Sequence, residues 1–128
     1  MRLLLDTCAF LWFQADSTDL SAYARVQIMD PGNEIYLSAV SVWEISPKYA
    51  QGGLSLPSQP ATLTPTVRKD SGILSLPLTE TDALAGEKLQ MFHKDPFDRL
   101  LIAQALMGGL AIISSDKAFE PYPVRVVW

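Results

Sequence analysis

Four carboxylates stand where short apolar runs end or helices begin. LLLD closes the run Leu3–Leu5 with Asp6, and AIISSD sets Asp116 just past Ala111–Ile113. Glu44 lies between Trp43 and Ile45 in SAVSVWEI, and Asp98 stands in the opening turn of DPFDR. A carboxylate among apolar neighbours is expensive to bury unpaired, so Glu44 calls for a partner. Like charges brought together disfavour joint ionisation, and such a cluster either takes up a proton or holds a cation. Oxygen donors without cysteine pairs or paired histidines select hard ions, Mg²⁺ or Mn²⁺, over zinc. These ions keep open positions for water and phosphate oxygens, which is the arrangement that hydrolyses phosphodiesters. Three of the acids also have a structural role open to them: Asp6 and Asp116 as helix N-caps, and Asp98 as a complement to a helix dipole, while Glu44, among apolar neighbours, has the weakest such alternative. Asp95, directly before Pro96, reads as a helix cap outside the site. No lysine or histidine is assigned beside the four acids. His93 reads as a surface residue, Cys8 as buried packing, and Trp12 and Trp43 as core or interface.

The elements that must position these acids follow from the apolar pattern. Leu3–Leu5 predicts a strand buried on both faces, followed by a helix over 7–15 and a second over 20–29, broken by Pro31, Gly32 and Asn33. Glu34 to Leu37 predicts the second strand. A helix capped by Ser38 or Ser41 then runs toward Tyr49, kinked at Pro47 and stopped by Gly52 and Gly53. Pro57, Pro60 and Pro65 predict that any helix in 55–70 is short or starts near Thr66. Ile73, Leu74 and Leu76 predict a third strand, and Thr79 with Asp82 opens a helix reaching Phe92. Pro96 opens the most strongly patterned helix, which Gly108 and Gly109 end; Ala111–Ile113 and then Val124, Val126 and Val127 supply the last two strands. Strands alternating with helices mean a parallel, doubly wound sheet, with ligands outside the carboxyl ends of its strands. If the strand order reverses between the first and fourth strands, Asp6 and Asp116 flank that crevice, and Glu44 and Asp98 lie near the same edge.

Composition bounds the function. The 128 residues, 48% hydrophobic and 19% charged, suit one globular domain over 1–128. Ten basic against fourteen acidic residues give a net charge of −4, so the overall field repels a polyanion, and handling nucleic acid requires cations. Asp6 interrupts the opening apolar run and no stretch is long enough to span a membrane, which argues against a signal peptide or a membrane anchor. A lone cysteine forms neither an internal disulfide nor a thiolate metal cage, and the cytoplasm is the compartment this predicts.

Together LLLDTCAFLW, SAVSVWEI, HKDPFDRLLIAQA, and IISSD followed by YPVRVVW resemble the PIN-domain family, and within it the VapC-type toxins of toxin–antitoxin pairs. The resemblance covers nearly the whole chain, and HKDPFDRLLIAQA is its most specific part. It implies a three-layer α/β domain with a mostly parallel central sheet flanked by helices. It also implies a Mg²⁺-dependent endoribonuclease, with Mn²⁺ able to substitute, that hydrolyses RNA phosphodiester bonds. The catalytic and metal-binding roles fall on Asp6, Glu44, Asp98 and Asp116, with Thr7 and Ser114 orienting water or ligands. The implied partners are a VapB-type antitoxin whose C-terminal segment wraps the cleft, and a second copy of the chain in a homodimer. A first helix carrying Phe10, Trp12 and Phe13 on more than one side supports the dimer. The chain departs from the family pattern at Cys8, where the subgroup often has histidine, at Ser46 to Lys48, and in the proline-rich segment from Pro57 to Pro65. Three other readings compete. A non-catalytic PIN-like interaction module would bind no metal, and a PIN-like nuclease acting on DNA structures would need duplex-binding insertions that so short a chain lacks. A phospho-receiver domain needs an aspartate ending its third strand, where this chain has ILSLP.

Overall fold

The computed structural model describes residues 1–128. Its elements are β1 (Arg2–Leu5), α1 (Thr7–Gln14), α2 (Ala22–Met29), β2 (Glu34–Ser38), α3 (Ala39–Ala50), α4 (Pro60–Ser71), β3 (Leu74–Leu76), α5 (Glu80–Lys88), α6 (Pro96–Gly108), β4 (Ala111–Ile113) and β5 (Val126–Val127), with a single 3₁₀ turn at Lys117–Phe119. The five strands form one parallel sheet in the order β3-β2-β1-β4-β5. The order reverses at β1, so the crevice between the ends of β1 and β4 is the topological switch point, where parallel sheets bind ligands.

Period-two alternation along β1 divides the interior into two layers. Leu3 and Leu5 face one side with Phe10, Leu20, Ala24, Ile28 and Ile45, and Leu4 faces the other with Leu101, Ile102, Ala105 and Phe119. Helices α1 and α2 therefore cover one face and α6 the other, giving the three-layer α/β architecture expected. In α6 the apolar stripe of Leu101, Ile102 and Ala105 is fully buried, and Gly109 closes the helix at φ 64°, a left-handed conformation that glycine adopts without strain.

Two details correct the sequence expectations. Helix α4 begins at Pro60, not near Thr66, and carries Pro65 inside it. Pro60 occupies the first turn, where no amide is needed, while Leu63 is buried and Val67 packs against the core, so one flank of the helix is docked. That docking outweighs the hydrogen bond Pro65 forfeits. Helix α5 stops at Lys88 instead of reaching Phe92, leaving 89–95 as the loop that leads into α6. Helix α1 spends its apolar surface internally: Phe10 is buried, and Trp12 packs edge-on against Trp128 at 5.8 Å. Trp43 is 69% exposed, which places it outside the core and leaves it free for an interface.

Candidate active site

Asp6 ends β1 and begins α1, and both roles proposed for it coexist. One carboxylate oxygen, Oδ1, accepts the Ala9 backbone N–H at 2.7 Å as the N-cap. The side chain is nonetheless buried at the switch point, and burial pushes its carboxyl up to about 6. The Ser114 hydroxyl and the Ala9 amide offset part of that shift, while the charges of Asp98 and Asp116 add to it. Asp6 is thus a buried carboxylate facing two more.

Glu44 reaches the same place from α3. Its Oε1 accepts from Thr7 Oγ1 at 2.8 Å, and Thr7 in turn lies 3.0 Å from Ser41 Oγ, one turn earlier on α3. Two buried hydroxyls therefore aim the glutamate. Its Oε2 pairs with Lys48 Nζ at 3.0 Å, the salt bridge one helical turn on that the spacing offers, so one of the acids does have a lysine beside it. The signal was present in the sequence, since residues four apart share a helix face. With the Lys48 side chain 60% exposed, the pair is worth only about 0.5 kcal/mol and leaves the glutamate free to exchange partners.

Asp98 stands in the first turn of α6, half-buried, and burial raises its carboxyl above the ordinary range. The largest opposing influence is His93, whose Nε2 lies 2.8 Å from Asp98 Oδ2; Asp95 and Glu44 push the carboxyl further up. His93 is consequently a partner inside the site, contrary to its reading as a surface residue. Asp95 caps α6 by accepting from Phe97 N at 2.9 Å, as expected, yet it also lines the cleft. The loop holding His93 is fixed by Arg99, a buried residue with no signal in the sequence to single it out. Its guanidinium donates to the carbonyls of Gly86, Leu89, Gln90 and His93 at 2.9–3.3 Å. The Tyr122 hydroxyl joins this clamp, accepting from His93 N at 3.0 Å and donating to Gln90 O at 2.7 Å. A guanidinium is suited to the task because its five donors can satisfy several carbonyls at once.

Asp116 lies at the rim and is exposed. Its Oδ1 caps the 3₁₀ turn through Ala118 N, and buried Ser114 accepts the Asp116 backbone N–H at 3.0 Å. The four carboxylates line one cleft of about 380 Å³, together with Asp95, Thr7 and Ser115. Cys8 and Trp12 also line it, so Cys8 is exposed at the cleft and not buried packing. Partial desolvation and the charges of Asp6, Glu44 and Asp98 raise its thiol, keeping it protonated and a poor nucleophile.

The donor set suits a divalent cation. Five carboxylates line the cleft, Lys48 and His93 are the cationic or titratable partners they have, and burial holds Asp6 and Asp98 above their ordinary range. A cation there would remove the penalty on both. The ligand atoms of His93, Asp98 and Asp116 already lie within 4.8 Å of one another.

The PIN domain family profile matches residues 3–124. The chain belongs to the PIN domain family. Solved structures of similar fold include VapBC2 from Rickettsia felis bound to a DNA fragment from their promoter (TM-score 0.74, 13% identity, 99% of this chain and 98% of that one). FitAcB from Neisseria gonorrhoeae (TM-score 0.66, 19% identity, 98% and 96%) and VapBC-1 from nontypeable Haemophilus influenzae (TM-score 0.65, 16% identity, 99% and 97%) are similar in the same way. At these identities the likeness is one of fold. No curated protein sequence matches the chain.

Proposed function

We propose that this PIN domain, acting as one unit over 1–128, is a Mg²⁺- or Mn²⁺-dependent endoribonuclease and the toxin of a toxin–antitoxin pair. The observation that supports this most directly is the meeting of Asp6, Glu44, Asp98 and Asp116 in one cleft at the switch point of the sheet. A bound divalent ion supplies charge neutralisation for the phosphate and activation of water. Asp6, Asp98 and Asp116 would hold the ion. Glu44, aimed by Thr7, completes the acid set and accepts a proton from water at Oε2 when Lys48 swings away. Ser114 steadies Asp116 from the backbone side. The cleft is open, so a flexible single strand can reach it.

The partners are proposed on the likeness to toxin–antitoxin complexes: a VapB-type antitoxin and a second copy of the chain. Tyr23, Val26 and Met29 on α2 and Trp43 on α3 are the exposed apolar residues available to them, 51–69% exposed. No helix is long and apolar enough to cross a membrane, and we place the protein in the cytoplasm, where such a substrate is found. The test is Mg²⁺-dependent cleavage of total RNA by wild type and by Asp98→Asn. Cleavage by the wild type, abolished by EDTA and by the substitution, is expected. A wild type that binds Mn²⁺ but cleaves no RNA would leave a non-catalytic module, and one that cleaves only structured DNA would reassign the substrate.

A further inference from the structure

We infer that His93, Asp98 and Asp116 form a mixed nitrogen–oxygen site for a borderline divalent ion of the Zn²⁺ kind, and that His93 decides between such an ion and Mg²⁺ in this cleft. The inference rests on the metal-dependent reading above and specifies which ions the centre accepts. The geometry is close to what coordination requires. Ligands on an ion with bonds of about 2.0–2.2 Å stand roughly 3–3.5 Å apart, and His93 Nε2 and Asp98 Oδ2 are 2.8 Å apart with Asp116 within 4.8 Å of both. Asp116 is exposed and commits only Oδ1 to capping, so its side chain can close the remaining gap.

The imidazole is held in place from its own backbone. His93 N donates to the Tyr122 hydroxyl, and its carbonyl accepts from Arg99, whose other bonds pin the preceding loop to α6. A nitrogen donor so fixed discriminates between ions. Mg²⁺ takes oxygen ligands and sheds water reluctantly, while imidazole suits Zn²⁺, Co²⁺ and Ni²⁺. With Mg²⁺ in the cleft, His93 stays hydrogen-bonded to Asp98 and orients it. With Zn²⁺, His93 becomes a ligand, Asp98 and Asp116 are drawn onto the same ion, and Mg²⁺ is displaced. Zinc therefore acts as a competing occupant of the carboxylate cleft.

His93 is the only histidine in the chain, so long-range ¹H–¹⁵N spectra of its ring report this site alone. ZnCl₂ added to the metal-free full chain should move the Nε2 resonance, and MgCl₂ should leave Nε2 free of metal. Calorimetric titration of His93→Gln should show Zn²⁺ affinity reduced about tenfold or more, with Mg²⁺ affinity within about twofold of wild type. Zn²⁺ should also raise the apparent Kd for Mg²⁺. Cys8→Ser is titrated in parallel and should bind Zn²⁺ as the wild type does. Zinc binding that leaves Nε2 unmoved would overturn the inference, as would an equal loss of both ions in His93→Gln, or zinc affinity lost in Cys8→Ser. A chain that binds Zn²⁺ through Nε2 but never binds Mg²⁺ would instead refute the magnesium-nuclease reading and leave this site standing.

Discussion

Removing the Asp6 charge should stabilise the metal-free protein. Asp6 is 6% exposed and its carboxyl is pushed up to about 6 from an ordinary 3.8, so keeping it ionised in the fold costs about 3 kcal/mol. Below about pH 4 the aspartate is protonated in both folded and unfolded chains and contributes nothing. Between there and about pH 6 the folded chain holds a proton that the unfolded chain has released, so stability falls as pH rises. Above that range the full cost persists. Asp6→Asn keeps an oxygen for the Ala9 amide and remains a good N-cap. Its new NH₂ group must find a partner in the cleft, which returns about 1–2 kcal/mol. The net gain at pH 8 in EDTA is therefore about 1–2 kcal/mol, or roughly 5–10 °C in Tm, and it turns into a loss of about 1–2 kcal/mol by pH 4, where only the cost of the NH₂ group is left. Urea and thermal unfolding of both proteins across pH 4–8 measure this. Saturating Mg²⁺ should reverse the order, because only the wild type gains from binding. A metal-free Asp6→Asn that is less stable than wild type at pH 8, or a stability difference that does not vary with pH, would show that the carboxylate acts as a cap without charge strain, and the reasoning fails.

Two further outcomes follow from the same geometry. Glu44→Gln keeps the bond from Thr7 and loses only the half-exposed pair with Lys48, so metal-free stability should change by no more than about 0.5 kcal/mol while RNA cleavage collapses; a mutant that still cleaves removes Glu44 from the chemistry. Arg99→Lys cannot serve four carbonyls with one ammonium and should cost about 2–3 kcal/mol, with faster amide exchange in 89–93 at unchanged exchange in β1; uniform exchange would mean that the clamp does not act locally.

The sequence carried the strand pattern well, because runs such as LLL and AII have no reading at the surface, and an acid stands directly after the first and three residues after the second. It also carried the convergence of those acids, once the alternation of strands and helices implied a switch point. It carried poorly whatever depends on tertiary packing. The proline count in 57–65 pointed to loop, and only the docking of Leu63 and Val67 reveals why a helix survives there. Cys8 and His93 were misjudged for a related reason: each residue type is commonest in the bland role, and only the packing of 89–95 against α6 turns the histidine inward. Arg99 has no local signal at all, since its four acceptors are backbone carbonyls and every residue has one.

The position of β1 in the middle of the sheet bears on how the chain is made. One neighbour, β2, leaves the ribosome soon after it, but the other, β4, pairs Ala111 with Leu3 and is synthesised more than a hundred residues later. For most of translation the Leu3–Leu5 segment therefore has one side unpaired, and contacts of such long sequence separation form slowly. An open apolar strand edge is a template for pairing with another nascent chain. The same delay keeps Asp116 away from Asp6 until β4 joins the sheet, so the acid cluster is assembled late. A chain truncated before β4 would thus be both adhesive and without its cleft, and the final strands serve as the step that closes the sheet around β1.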